Sequence, residues 1–306
     1  MGTVTADDPV PGLAMERLRR NFLSNPLLHR AVRTARAVRT VVARPPYVPP
    51  GHFYSPLTAD VDVSRALTWT GAPGIDLAEA AQLALAAELQ PLLAEPAPGP
   101  RYAPDNSMYG PGDAAVYRAM LTHLRPARII EVGSGYSTAL ALDEADANAD
   151  LSGLEITCIE PFPERLLGLM KAPDHERLTL LRQPVQDVDP ATYAQLGPQD
   201  VLFVDSTHVV KAGSDVVWLF LHVLPQLAQG VVVHVHDVFW PFEYPAEWLR
   251  EHRDWTENYL LHAFLIGNAS WEILFFSSWF WQCHPDIVPD RLASERPGSI
   301  WLRRVR

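Results

Sequence analysis

The stretch Arg128-Ile129-Ile130-Glu131-Val132-Gly133-Ser134-Gly135-Tyr136-Ser137-Thr138 decides the fold. Ile129, Ile130 and Val132 are β-branched, so the run reads as a buried strand, and Gly133 and Gly135 free the backbone for a tight turn. Ser137 or Thr138 can then cap a helix starting near Ala139. Such a turn aims unpaired backbone N–H groups at a ligand in the crevice above a parallel sheet, and a nucleoside cofactor is the expected occupant.

Outward from that turn, strand and helix patterns alternate. Strands are expected near 128–132, 154–160, 177–182, 200–205, 230–236, 271–277 and 299–304, and helices near 138–147, 163–170, 190–196, 214–228 and 245–253. Ser214 is expected to cap one helix and Gly230 to close it. The pattern is that of an α/β protein: a Rossmann-like, seven-stranded, mostly parallel sheet with helices on both faces. Upstream, helices are expected at 77–90, with Asp76 as N-cap and Pro91 at the end, and at 113–124. Residues 14–43 read as a basic helical arm, with Arg30, Arg33, Arg36 and Arg39 at three-residue spacing. The expected organisation is an arm with a Pro-rich linker over 1–50, a cap of loops and helices over 51–125, and a cofactor-binding domain over 126–306. The arm's charged face suits packing on its own acidic body or on a second subunit, which would make a homo-oligomer.

With 306 residues, 48% hydrophobic and 20% charged, the chain can bury a full core. Its net charge of -11 argues against a nucleic-acid or anionic-membrane binder, because phosphate recognition rests on clustered positive charge. Cys158 and Cys283 give neither a disulfide framework nor zinc spacing, so a reducing cytoplasm is the expected compartment. The opening residues carry Asp7 and Asp8 and no apolar core, so no signal peptide is expected. The apolar windows 216–235 and 260–283 are interrupted by His222, Pro225, His262 and Glu272 and are expected to be buried elements rather than membrane spans. Lysine occurs only at Lys171 and Lys211, an Arg-rich usage that fits a GC-rich bacterial genome.

A dinucleotide fingerprint would be G-x-G-x-x-G with an acid about 20 residues on. Here Thr138 replaces the third glycine, and Glu160 lies 27 residues after Gly133. This weakens an NAD(P)-dependent oxidoreductase and favours a cofactor with a ribose and no pyrophosphate. A non-catalytic cofactor-binding or scaffold module remains compatible with the same pattern.

These residues carry a resemblance. Glu131-Val132-Gly133-Ser134-Gly135, Glu160 ending the second strand, Gln186-Asp187 after the third and Asp205 ending the fourth resemble the successive motifs of class I S-adenosylmethionine-dependent methyltransferases. Gly51-His52-Phe53-Tyr54-Ser55-Pro56, Asp205-Ser206-Thr207-His208, His236-Asp237 before Pro241, and Glu257-Asn258-Tyr259-Leu260 resemble the bacterial group called methyltransferase domain 24. The resemblance implies S-adenosyl-L-methionine as cofactor and a small-molecule acceptor. It implies that Glu131, Gly133, Ser134, Gly135 and Ser137 bind the methionine side, with Glu131 turned toward the amino group. It further implies that Glu160 holds the ribose, and that Gln186 and Asp187 border the adenine, with Asp187 on its exocyclic amine.

The ends of parallel strands converge, so Asp205, His236 and Asp237 should be neighbours. In the metal-dependent O-methyltransferases that share the resembled fold, acids at these positions bind a divalent cation. In a set of Asp205, His236 and Asp237 the imidazole is a departure that suits Zn, Fe, Mn or Ni better than Mg, and it leaves open either another metal, with His208 as a ligand in place of a base, or a metal-free site. His208 stands where those enzymes place a lysine and is a natural general base, with Asp205 beside it, for O-methylation. His234 is expected to be a hydrogen-bonded core residue. Tyr54, Tyr102, Asn106, Tyr109 and Trp240 are candidates for the acceptor pocket. Glu257 and Tyr259 have no role derivable from the sequence.

Overall fold

The structure, a computed structural model, describes residues 46–97 and 99–306, so the helical arm expected over 14–43 lies outside the described residues. Contacts divide the chain into Met1–Ala59 and Asp60–Arg306. The described part of the first unit is a set of tight turns in which the His52, Phe53 and Tyr54 rings lie against one another.

The second unit begins with helices α1 (Asp60–Ala66), α2 (Glu79–Leu93) and α3 (Pro111–Leu124). Then follow β1 (Arg128–Val132), α4 (Tyr136–Ala147), β2 (Glu155–Ile159), α5 (Glu164–Leu169), β3 (Leu178–Leu181) and β4 (Val201–Val204). The chain continues through α6 (Asp215–Trp218), β5 (Val232–His236), α7 (Ala246–Arg250), α8 (Glu257–Leu265), β6 (Trp271–Phe276), α9 (Ser277–Cys283) and β7 (Ser299–Arg304). The seven strands order as β3-β2-β1-β4-β5-β7-β6, and β7 alone runs against its neighbours. This is the seven-stranded Rossmann-like sheet expected from the sequence. The chain steps outward from β1 to β3 and returns to β4, so a crevice opens between the carboxyl ends of β1 and β4.

Strands β1, β4 and β5 sit in the middle of the sheet, and their Val, Ile and Leu side chains are buried on both faces. Helix α3 is buried nearly all round, through Ala114, Val116, Tyr117, Ala119, Met120 and Leu121. No boundary falls near residue 125, where a separate cap was expected to end. Leu89 and Leu93 of α2 share the core of the sheet, and Gln82 Oε1 accepts a hydrogen bond from the Phe276 amide at 2.7 Å.

Several local expectations are corrected. The N-cap of helix α2 is Ala78, whose amide donates to Asp76 Oδ1 two residues before it, and the helix runs past Pro91 to Leu93. The single helix expected at 214–228 is a short α6 capped by Ser214, a π-turn over Leu219–Val223 and a 3-10 turn over Leu224–Gln226, where Pro225 lacks an N–H. The segment at 190–196 is also 3-10. Helices α1, α8 and α9 carry no clear signal in the sequence. Among the described residues, no helix is long and apolar enough to cross a membrane.

One ionic cluster anchors the loop in front of β1. Buried Arg101 reaches Asp143 at 2.7 Å, Asp174 at 2.6 Å and the half-exposed Asp146 at 2.6 Å. The amides of Arg101 and Tyr102 also donate to Asp143 at 2.8 and 2.9 Å. Burial works against the Asp174 charge, but the Arg101 guanidinium outweighs it and holds the carboxyl below its usual range. Removing the arginine strands two buried carboxylates, so Arg101→Met should cost about 3–5 kcal/mol in denaturant unfolding at neutral pH. Because the folded-state carboxyl is depressed, the pair's contribution is present above the ordinary carboxylate range and lost as the pH falls through the folded value. The gap between wild type and Arg101→Met should therefore narrow in acid, and a gap that widened there would contradict the assignment.

Candidate active site

The site is built on the turn after β1. Gly133 has φ 83, and a Cβ there would lie 1.9 Å from the carbonyl oxygen of Asp205, so only glycine lets β1 and β4 close this tightly. The Asp205 amide donates to Val132 at 2.9 Å, and the Gly133 amide to Ile159 at 3.1 Å. Glu160 follows β2 and accepts from the Ser134 amide at 3.2 Å and the Phe162 amide at 2.8 Å, which brings it against the turn.

Helix α4 starts at Tyr136, with Gly135 as its N-cap. Neither Ser137 nor Thr138 is the N-cap residue expected from the sequence, but Thr138 closes the cap from inside the first turn. Both hydroxyls donate to Glu131, that of Thr138 at 2.6 Å, while Thr138 Oγ1 accepts from the Gly135 amide at 3.2 Å. Glu131 is wholly buried, and burial, opposed by these hydroxyls, pushes its carboxyl up to about 7. It therefore lies beneath the turn and braces it, rather than standing in the crevice as the resemblance implied.

The crevice has two lobes that share Gly133, Glu160, Asp205, Ser206 and Thr207. The first, about 420 Å³, extends past Phe162 to Gln186 and Lys211. Gln186 lines it and is fixed by a 2.9 Å bond from its amide to the Gly213 carbonyl, whereas Asp187 is exposed and offers its own carbonyl to Gln183. Asp215 holds the floor by accepting from the Thr207 amide and hydroxyl at 2.9 and 2.6 Å. The second lobe, about 270 Å³, runs along Ser134 to Ser137 under Arg165 and ends on Tyr109, His208, His236, Asp237 and Trp255.

At that end the structure brings together Asp205, His208 and Asp237, whose ligand atoms all lie within 4.8 Å of one another. His208 Nε2 is 3.4 Å from Asp205 and 3.5 Å from Asp237, and its Nδ1 is 2.8 Å from Glu257. His236, expected in the metal set, is not in that group. Its Nε2 is 3.7 Å from Asp237, its Nδ1 is 3.9 Å from Asp113, and its ring lies against Tyr109. Both His208 and Asp237 hold left-handed backbone, φ 59 and 55, a conformation that persists in ordinary residues only where the surroundings impose it.

The charges do not balance. Burial opposes a charged His208 ring, but Asp205 and Glu257 outweigh it and hold the imidazole well above its usual value. Burial raises Asp237, Glu257 and Asp113, the last to about 6. Four carboxylates thus face two imidazoles in a largely buried space. His208 Nδ1 is held by Glu257, and Nε2 stands between Asp205 and Asp237.

The remaining candidates divide. Tyr109 lines the second lobe and is buried, and its hydroxyl has no hydrogen-bond partner among the described residues. Tyr102 and Asn106 instead build the loop that presents it: Tyr102 donates to the Tyr109 carbonyl at 2.9 Å, and Asn106 accepts from the Met108 and Tyr109 amides. Trp240 packs edge-on against Phe276 beside the core, and Tyr54 is exposed within the first unit. His234 is not hydrogen-bonded as expected; neither ring nitrogen has a partner among the described residues. It stacks on Phe203, with Tyr117 beside both rings and Trp301 edge-on, and burial keeps it neutral. Glu257, Asp113, Trp255 and Arg165 were missed. Only Glu257 carried a signal, as part of the Glu257-Asn258-Tyr259 motif.

Residues 130–238 match the methyltransferase domain family Methyltransf_24. An uncharacterized protein of Archaeoglobus fulgidus is 33% identical over 158 residues, 46% of this chain and 70% of that protein. Among solved structures, the S-adenosylhomocysteine-bound methyltransferase PaMTH1 of Podospora anserina is 16% identical, with 81% of this chain and 95% of that one covered at a TM-score of 0.43. A structure described as cmcI with Mg and S-adenosylmethionine is 20% identical, covering 65% and 73% at 0.38.

The contact between the first and fourth strands gives a direct prediction. Gly133→Ala must either strain its backbone or push Asp205 away, so it should lose at least about 1–3 kcal/mol from conformation alone. Equilibrium unfolding reads this, and a variant as stable as wild type would contradict the close approach.

Proposed function

The chain belongs to the methyltransferase domain family and is an S-adenosylmethionine-dependent methyltransferase, and from that premise we propose that it methylates a hydroxyl oxygen of a small molecule bound in the second lobe. The observation that carries this reading is the joining of the two lobes at Gly133, Glu160 and Asp205, with a cluster rich in carboxylates closing the far end. The residues fit the cofactor. Gly133 lines both lobes, Ser134 offers a buried hydroxyl without a partner among the described residues, and Glu160 keeps lone pairs free for ribose hydroxyls. Gln186 borders the adenine lobe in place of Asp187. Arg165 lies over the Gly135 turn, 3.0 Å from where a Cβ would stand, and supplies the positive charge that a methionine carboxylate needs.

The end of the second lobe fits a divalent cation. Asp205, His208 and Asp237 supply two carboxylates and one imidazole, a donor set for Mn, Fe, Ni or Zn more than for Mg. The 3.4 and 3.5 Å separations are close to the roughly 3 Å between adjacent ligands of an ion at about 2.1 Å. A divalent ion would also relieve the excess of buried negative charge. When bound, it would hold an acceptor oxygen and lower the pKa of its hydroxyl.

When bound, S-adenosylmethionine would supply an electrophilic methyl group on its sulfonium, and its transfer to the acceptor oxygen would leave the C–S electron pair on sulfur. The protein's part is alignment and proton removal. Tyr109 and Trp255 wall the acceptor, and Asp237 turns one oxygen to His208 and the other to His236, so the latter oxygen is placed to receive the acceptor proton. Cys158 and Cys283 are both free thiols, which fits a cytoplasmic enzyme.

Calorimetry with S-adenosylhomocysteine should show binding that Arg165→Ala weakens by about tenfold, the loss of one charge-assisted contact. Unchanged affinity would remove Arg165 from the site. With labelled S-adenosylmethionine and a panel of phenols and sugars, transfer to the best acceptor should fall by about 10²–10⁴ in Asp237→Ala while cofactor affinity holds. Full turnover in that variant would overturn the catalytic assignment, and binding of NAD(P) instead of S-adenosylhomocysteine would overturn the cofactor.

A further inference from the structure

Helix α8 begins where no sequence argument placed a functional group, and its first turn encloses His208. The His208 carbonyl accepts from the amides of Thr256 at 2.9 Å and Glu257 at 3.1 Å, and Thr256 Oγ1 accepts in turn from the Val210 amide at 2.7 Å. Trp255 covers the ring at a centroid distance of 4.4 Å. Glu257, only 1% exposed, reaches Nδ1 at 2.8 Å, while its second oxygen has no partner among the described residues. Backbone, ring face and ring nitrogen of one residue are thus all fixed by three consecutive side chains and amides that lie about 49 positions downstream.

We propose that Trp255-Thr256-Glu257 is the positioning device of the cation site, and that Glu257 holds His208 so that Nε2 faces Asp205 and Asp237 as a ligand. The proposal rests on the reading of Asp205, His208 and Asp237 as cation ligands. Three features make it more than the capping of a helix. A left-handed backbone at a residue with a Cβ does not persist unless neighbours impose it, and the two amides donating to the His208 carbonyl do so. A carboxylate that holds the Nδ1 proton also orients the ring and leaves Nε2 the electron pair for a ligand, which is how a partner behind the ligand tunes a metal histidine. The burial of Glu257 with only one oxygen engaged is costly for a residue whose sole task is to start a helix.

The test is calorimetric titration of the full chain with Mn²⁺, in wild type and in the Glu257→Gln, Glu257→Asp and Glu257→Ala variants. S-adenosylhomocysteine affinity is measured alongside as the control for an intact crevice. Gln keeps an acceptor at the same reach and should retain most of the Mn²⁺ affinity. Ala removes the acceptor, and Asp withdraws it by one methylene; both should weaken Mn²⁺ by about 10–100-fold with cofactor affinity unchanged. If Ala does not fold, Asp carries the comparison. Wild-type binding that Ala or Asp leaves equally tight overturns the positioning role while keeping the cation site. Absence of Mn²⁺ binding in wild type overturns the cation site and this role with it.

Discussion

The close approach of Gly133 to the Asp205 carbonyl is the constraint on which the rest of the site depends. It occurs where β1 and β4 lie side by side although the chain visits β2 and β3 between them. That topology leaves the carboxyl ends of two adjacent strands without a covering crossover, which is the physical reason a crevice exists there. Without a side chain at residue 133, the turn can fold down onto β4. Its amides then face Glu160 on one side, and the residues after Asp205 are carried toward β5 on the other. Glu131 supports the turn from below by taking the Ser137 and Thr138 hydroxyls, so a carboxylate that reads as a ligand contact serves as a brace.

The far end of the crevice is governed by charge. His208 is surrounded by Asp205, Asp237 and Glu257, and Asp113 stands behind His236. In water such a group would disperse, but packing holds it together through buried strand ends, two left-handed residues and the start of α8. A structure that maintains like charges at close range stores unfavourable energy that a bound cation would release. In the proposed reading His208 is a ligand between the two carboxylates and Asp237 takes the acceptor proton.

The sheet was legible because its signal is local. Strands β1, β2 and β5 are short β-branched runs bounded by turn residues, and the strand ends carry Glu160, Asp205 and Asp237 where the alternation predicts them. The turn's inner chemistry was less legible. Ser137 and Thr138 look like helix caps in sequence, and only the burial of Glu131 beneath them redirects their hydroxyls. Exchanging His236 for His208 in the cation set depended on side-chain directions across a left-handed residue, which no periodicity encodes. Glu257 and Asp113 were out of reach for another reason: they meet the site through tertiary contacts from helices on opposite ends of the chain. Tyr102 and Asn106 were placed in the right loop, but their side chains fold back on its backbone and leave Tyr109 as the residue that faces the lobe.

The central claim is that one crevice seats the methyl donor and a cation side by side. Anomalous scattering from crystals grown with S-adenosylhomocysteine and Mn²⁺ tests it most directly. The account predicts density for the nucleoside in the lobe that reaches Gln186, the amino-acid part along Gly133 to Ser137, and one manganese peak bounded by Asp205, His208 and Asp237. A peak held by His236 without His208, no peak at all, or a ligand lying away from Gly133 would contradict it.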